Sequence, residues 1–173
     1  MNGAIYGAGM VGEAFSFDGV NDWVEVTGGV GDFGSNPFTV DFWMMSNNNG
    51  GSDPTFIMGK NHANGGLGWD MRLSNSAIRV VGVNGWGFNI TSDASATPGI
   101  WHHIALASTA ATVDLYIDGV LKGTCPRSTI SATANPFRIG YTTDFGSPAF
   151  NGLIDEVEIF NRDLTADEIA AIY

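Results

Sequence analysis

The sequence predicts an all-β protein, an antiparallel β-sandwich, on three observations. Short segments with an apolar residue at every second position recur along most of the chain, the period of a strand with one face on a core. Glycine, asparagine and aspartate separate those segments, with 24 glycines in 173 residues. Hydrophobic residues make up 44% and charged residues only 14%, so one apolar core is affordable while the surface rests on Ser, Thr and Asn.

The elements follow in order. Residues 1–13 are glycine-rich and weakly patterned, a first edge strand or lead-in. Ala14–Phe17 alternates, and Asp18-Gly-Val-Asn-Asp22 forms a tight polar turn into Trp23–Val26. Phe38, Val40, Phe42 and Met44 share one face of the next strand, and residues 47–54 are a loop by composition. Strands are expected over 55–59, 68–73 and 77–83, with a turn at Ser74-Asn75. Residues 101–107 and 112–117 form the next pair, and Asp118-Gly119 is a hairpin signal leading into Val120–Lys122. Segments 137–140 and 153–160 complete the set. The sum is an antiparallel jelly-roll sandwich, and residues 1–173 read as one domain without repeat or linker.

The tail is the most specific part. Leu153, Val157 and Ile159 share one parity, and Asp155 interrupts their face with a carboxylate. Thr165 and Glu168 have the spacing of a capping box, and Leu164 and Ile169 are placed to staple a single helical turn.

Charge excludes some partners. The net charge is −11 with seven Lys and Arg in all, which argues against nucleic-acid backbones and anionic lipid. No apolar run reaches the length of a membrane-crossing helix. Cys125 is the only cysteine, so no intrachain disulfide forms, and no partner nearby in sequence activates it. Met1 leads directly into Asn-Gly-Ala without a signal-peptide pattern, and the expectation is a piece of a larger exported protein.

Taken together, Gly12–Val24, Phe38–Trp43, Gly59-Lys60, Trp101–Ala105, Leu115–Gly119, Ile139-Gly140, Phe150–Val157 and Asn161–Leu164 resemble the laminin-G-like, concanavalin-A-like jelly-roll family common in secreted bacterial multidomain proteins. The match runs over about residues 12–173, and the order of the motifs gives it its force. The resemblance implies a concanavalin-A-like sandwich with a short C-terminal helical turn, an extracellular or cell-surface location, and other domains of a parent chain as partners. Members usually carry a further strand and polar loop before this point, so the first strand here is expected to be clipped or displaced.

Two candidate sites emerge. For metal, Asp18, Asn21 and Asp22 crowd one turn, and Asp155 lies on the last strand. First and last strands are neighbours in a jelly roll, so the clusters are expected to converge on a structural calcium, an ion that needs six to eight hard oxygens. The resemblance implies such an ion at positions matching Asp18 and Asp155. The alternative is an Asx-type turn at Asp18 and a hydrogen-bonded Asp155. For carbohydrate, Trp69, Trp86 and Phe88 lie among Gly and Asn, with Asp70, Arg72, Arg79, Asn89 and the loop residue His62 placed to bond hydroxyls. The alternative for the aromatics is the core, and it weighs more on Trp69 than on Trp86, which stands between two glycines.

His102 and His103 are consecutive on a strand, point to opposite faces and read as structural. No nucleophile elbow, zinc-binding helix or phosphate-cradling loop occurs, so catalytic residues are not assigned. The expected function is a non-catalytic carbohydrate-binding or adhesion module with a glycan as partner. The alternatives are a structural or protein-interaction spacer and, further off, a glycosidase or polysaccharide lyase, which would need two carboxylates facing across a cleft.

Overall fold

The computed structural model describes every residue apart from 61–67, 84–87, 131 and 143–145. Among the described residues the order is β1 (Ile5–Ala8), β2 (Glu13–Asp18), β3 (Val24–Val26), β4 (Phe38–Ser46), β5 (Thr55–Gly59), β6 (Gly68–Ser74) and β7 (Ala77–Val83). It continues with β8 (Phe88–Thr91), β9 (His102–Ser108), β10 (Thr112–Ile117), β11 (Val120–Pro126), β12 (Phe137–Ile139), β13 (Asn151–Phe160) and α1 (Ala166–Ile172). They form a seven-stranded sheet, β1-β2-β13-β4-β9-β10-β11, and a six-stranded sheet, β3-β12-β5-β6-β7-β8. Pairing within both is antiparallel.

Alternation explains the sandwich. Phe38, Val40, Phe42 and Met44 of β4 are buried and face Trp69, Met71 and Leu73 of β6 and Ile78 and Val80 of β7 within one core. Two amphipathic sheets bury their apolar faces in this way, at roughly 25 cal/mol per Å² of apolar surface removed from water. The residues between them in sequence point outward on either side.

The C-terminal helix closes the outer face of the seven-stranded sheet. Thr165 Oγ1 accepts from the Glu168 N–H while Glu168 Oε2 accepts from the Thr165 N–H, the expected capping box. Ile169 and Leu164 bury against Ala105, Ala107 and Tyr116, a second, smaller apolar cluster. The helix runs for seven residues rather than the single turn expected.

Two sequence expectations are corrected here. Leu153, Val157 and Ile159 do not share one apolar face, because a β-bulge between Asp155 and Glu158 shifts the register of β13 on β4. Ile154 enters the core, Val157 packs partly against it and Ile159 is exposed. Glu156 sits at φ +46° in the bulge, with its N–H donated to Asp155 Oδ1. The segment 88–91, not expected as a strand, is β8 and an edge of the six-stranded sheet. The weakly patterned start, expected as a first edge strand or lead-in, is the edge strand β1, paired with β2 from Ile5↔Ser16 to Ala8↔Glu13.

Candidate functional site

The outward residues of β6, β7 and β8 form the candidate ligand face. Trp69, Met71 and Leu73 turn inward, so Asp70 and Arg72 turn outward, and the same alternation puts Arg79, Val81, Asn89 and Thr91 outward. Register sets them in two rows. Asp70 lies opposite Val81, which lies opposite Asn89; Arg72 lies opposite Arg79, which lies opposite Thr91.

The two halves of this face differ. At the β6 side, Arg72 forms a bidentate pair with Asp70, both contacts at 2.9 Å, and Arg72 Nη1 donates to Ser147 Oγ at 3.3 Å. Ser147, in the connection from β12 to β13, thus meets Arg72, and Asp70 has no exposed surface. At the β7–β8 side the face is open: Arg79 and Val81 are partly exposed, and Asn89 and Thr91 are exposed.

The sequence grouping is therefore split. Asp70, Arg72, Arg79 and Asn89 do share a face, but Trp69 does not join them. Its side chain is fully buried, and its indole N–H donates to the Gly31 carbonyl at 3.0 Å, with Phe33, Phe38 and Phe137 around it. Strand parity is the reason, since residues 69 and 70 must point to opposite faces. Phe88 also lies in the core. Asp70 is spent on Arg72 and buried, so it positions that arginine instead of meeting a ligand. Trp86 and His62 lie outside the described residues.

The expected calcium ligands do not come together. Asp18 pairs with Asn151 in the β2–β13 register, and Asp155 lies four residues further along β13. That separation is about 13 Å at the rise of a strand. Asp155 is buried on the outer face of its sheet, where Oδ2 accepts from Val11 N–H at 3.0 Å and Oδ1 from Glu156 N–H at 2.9 Å. A carboxylate held by two peptide N–H groups has its charge answered inside the chain. Gly9 passes so close above it that a Cβ there would sit 2.4 Å from Oδ2. Asp18 Oδ1 accepts from Val20 N–H and Asp22 Oδ2 from Asp18 N–H, the geometry of a self-bonded polar turn. Asn21 is exposed beside it. The set Asp18, Asn21, Asp22 and Asp155 thus does not fit a single ion, and no three acidic, His or Cys side chains gather as a metal site among the described residues.

A second depression was not visible in the sequence. Glu25, Thr27, Gly28, Asp32, Lys60 and Thr133 line part of a cleft of about 400 Å³ at the β3 edge of the six-stranded sheet. Lys60 is almost wholly buried and meets Asp32 Oδ2 at 2.6 Å, while Thr133 N–H donates to Asp32 Oδ1. Arg138 bonds Glu25 and lies over the Trp23 ring at 5.2 Å. These ion pairs join residues 28 and 113 positions apart, a separation no local pattern announces.

His102 and His103 have structural partners or surroundings. His102 Nδ1 meets Asp118 Oδ2 at 2.8 Å and its Nε2 takes the Thr97 N–H, tying a loop to the β10–β11 turn. His103 is buried on the outer face under Tyr173 and Trp43, with Nε2 3.8 Å from Asp41 Oδ2. Burial first, and then the Asp41 and Glu156 carboxylates, push the nearby Glu158 carboxyl up.

A two-sheet antiparallel sandwich with its last strand beside its second, closed by a capped helix, is a lectin-type jelly roll. The chain belongs to the concanavalin A-like lectin/glucanases superfamily, whose laminin-G-type family model matches residues 18–170. No curated protein sequence matches it. Domain 4 of AbnA, an extracellular arabinanase from Geobacillus stearothermophilus, in complex with arabinotriose, is similar at 22% identity and a TM-score of 0.69, over 99% of this chain and 82% of that one. The binding domain of Paraclostridial Mosquitocidal Protein 1 is similar at 17% identity and a TM-score of 0.76, and this chain spans 45% of its length and is itself covered to 98%. The CBM40 module of the Ruminococcus gnavus IT-sialidase, bound to alpha2,3 sialyllactose, is similar at 15% identity and a TM-score of 0.65, over 88% of this chain and 96% of that one. At these identities the likeness speaks for the fold.

Proposed function

We propose that the chain is a non-catalytic glycan-binding module of an extracellular or cell-surface multidomain protein. The observation that carries this reading is the open strip on β7 and β8, where Arg79, Asn89 and Thr91 present polar groups around Val81 on a rigid sheet. Sugars are bound by such combinations, an apolar patch for the ring's CH face and a few fixed donors and acceptors for its hydroxyls. Relatives in fold that are known with arabinotriose and sialyllactose support the same reading.

A glycan-array screen of the purified domain, in calcium and again in chelator, tests it. Retention of a defined glycan class, weakened in Asn89→Ala with the melting temperature unchanged, is the expected result. A folded protein that retains no glycan in either condition would overturn the reading. A spacer or protein-contact role would then stand, for which the exposed Val120 and Leu121 on edge strand β11 supply the apolar surface.

A further inference from the structure

We propose that the glycan taken by this face carries a single carboxylate, received by Arg79. This rests on the reading of the β7–β8 strip as a glycan site.

The argument begins with what the other cations do. Lys60, Arg72, Lys122, Arg138 and Arg162 each meet a carboxylate at 2.6–3.2 Å. Arg127 donates to Ser108 Oγ and to the Thr109 and Gly34 carbonyls. Arg79 alone has no hydrogen-bond or ion-pair partner among the described residues, in a chain with 18 Asp and Glu.

Its position makes that unusual. Arg79 lies directly opposite Arg72 in the antiparallel register, and like charges so placed repel. Among the described residues one carboxylate, Asp70, stands with the two guanidinium groups, and Arg72 engages both of its oxygens. Asp70 answers Arg72, so among the described residues no carboxylate answers the positive charge of Arg79 at the open edge of the strip. Its other register partner, Thr91, and the adjacent Val81 and Asn89 bring no charge.

A planar guanidinium matches a carboxylate through two parallel N–H···O bonds, which gives both charge and orientation. Partial burial on a sheet lowers the entropy lost when that fork engages. The net charge of −11 then limits how much negative charge the ligand carries. A densely sulfated or uronate-only chain meets repulsion from the rest of the surface, while one carboxylate in an otherwise neutral oligosaccharide meets Arg79 and little else. Asn89 and Thr91 lie on one side of Arg79 to bond the hydroxyls that flank that carboxylate.

Titration calorimetry with matched sugars is the test. The panel holds glucuronate-, galacturonate- and sialate-bearing oligosaccharides, each beside its carboxyl-reduced counterpart, with a heavily sulfated glycan as the polyanion. The expected result is one acid bound roughly ten- to hundredfold tighter than its reduced form, the worth of a charged hydrogen-bonded pair. Arg79→Gln should abolish that preference at an unchanged melting temperature, and Arg79→Lys should restore only part of it. Equal binding of acid and reduced form overturns this inference and leaves the glycan reading standing. So does a preference that survives Arg79→Gln, or tightest binding to the sulfated glycan. Failure of the folded protein to bind any glycan overturns both.

Discussion

Trp69 and Asp70 are neighbours in sequence and belong to different worlds in the fold. Trp69 fills the core between the sheets, and Asp70 anchors an arginine on the outer face. The sequence carried both facts in its alternation, since Trp69, Met71 and Leu73 share a parity that a half-buried strand must turn inward. Composition pulled the other way, because the glycines and asparagines around Trp69 resemble a binding loop. Parity decides such cases wherever a strand is certain. Trp69→Ala should therefore cost about 3–5 kcal/mol in denaturant unfolding, the range of an aromatic truncated in a core. A loss below about 1 kcal/mol would place the ring outside the core. Arg72 and Arg79 illustrate what residue-level reading misses. Their shared face follows from alternation, but only the register makes them direct neighbours and gives Asp70 to one of them.

At the scale of elements, the strongest sequence signal was the helix cap, and it formed in full. Local chemistry suffices there, because Thr165 and Glu168 satisfy each other within one turn. Thr165→Ala should cost about 1 kcal/mol. The hydrogen bonds from Arg162, and then the Thr165 N–H, hold the Glu168 carboxyl down from 4.5 to about 2. A carboxyl depressed in the folded state stabilises it above the unfolded value, and that contribution fades as pH falls toward the folded value. Melting temperatures of wild type and Glu168→Gln should thus differ at pH 7 and converge between about pH 4.5 and 2. A constant difference across that range would show that the ion pair adds nothing to folding. Two other elements defeated local reading. The bulge in β13 depends on Asp155 capturing its own neighbour's N–H, and β8 is a four-residue edge whose flanks read as loop.

For the whole molecule, the two sheets divide the labour. The seven-stranded sheet has its outer face occupied by its own chain: α1 lies over Ala105 and Ala107, and the β1–β2 turn hangs on Asp155. Asp155 was visible in the sequence as a carboxylate in an apolar row, yet its partner lies 144 positions away at Val11. The neighbouring first and last strands of a jelly roll suggested a shared ion with Asp18; the antiparallel register separates the two. A chelator should accordingly leave the melting temperature unchanged, because Asp18 and Asp155 stand too far apart to share an ion. A fall in chelator would mean that an ion contributes to folding after all, by linkage. The six-stranded sheet leaves part of its outer face open, and that part is the β7–β8 strip.

The contact of Ser147 with Arg72 bears on how strongly that strip can hold anything. With Ser147 closing the β6 side, the open patch spans two strands, about 10 Å, by one pair of alternate residues, about 7 Å. On the proposed glycan reading, a footprint of that size would seat one or two sugar rings and bury little surface, so a single module would release its ligand readily. Tight attachment has to come from number: several copies on one chain or one surface, each raising the effective concentration of sugar seen by the next. On the proposed glycan reading, such a module would distinguish a dense glycan coat from a lone chain by rebinding before it escapes.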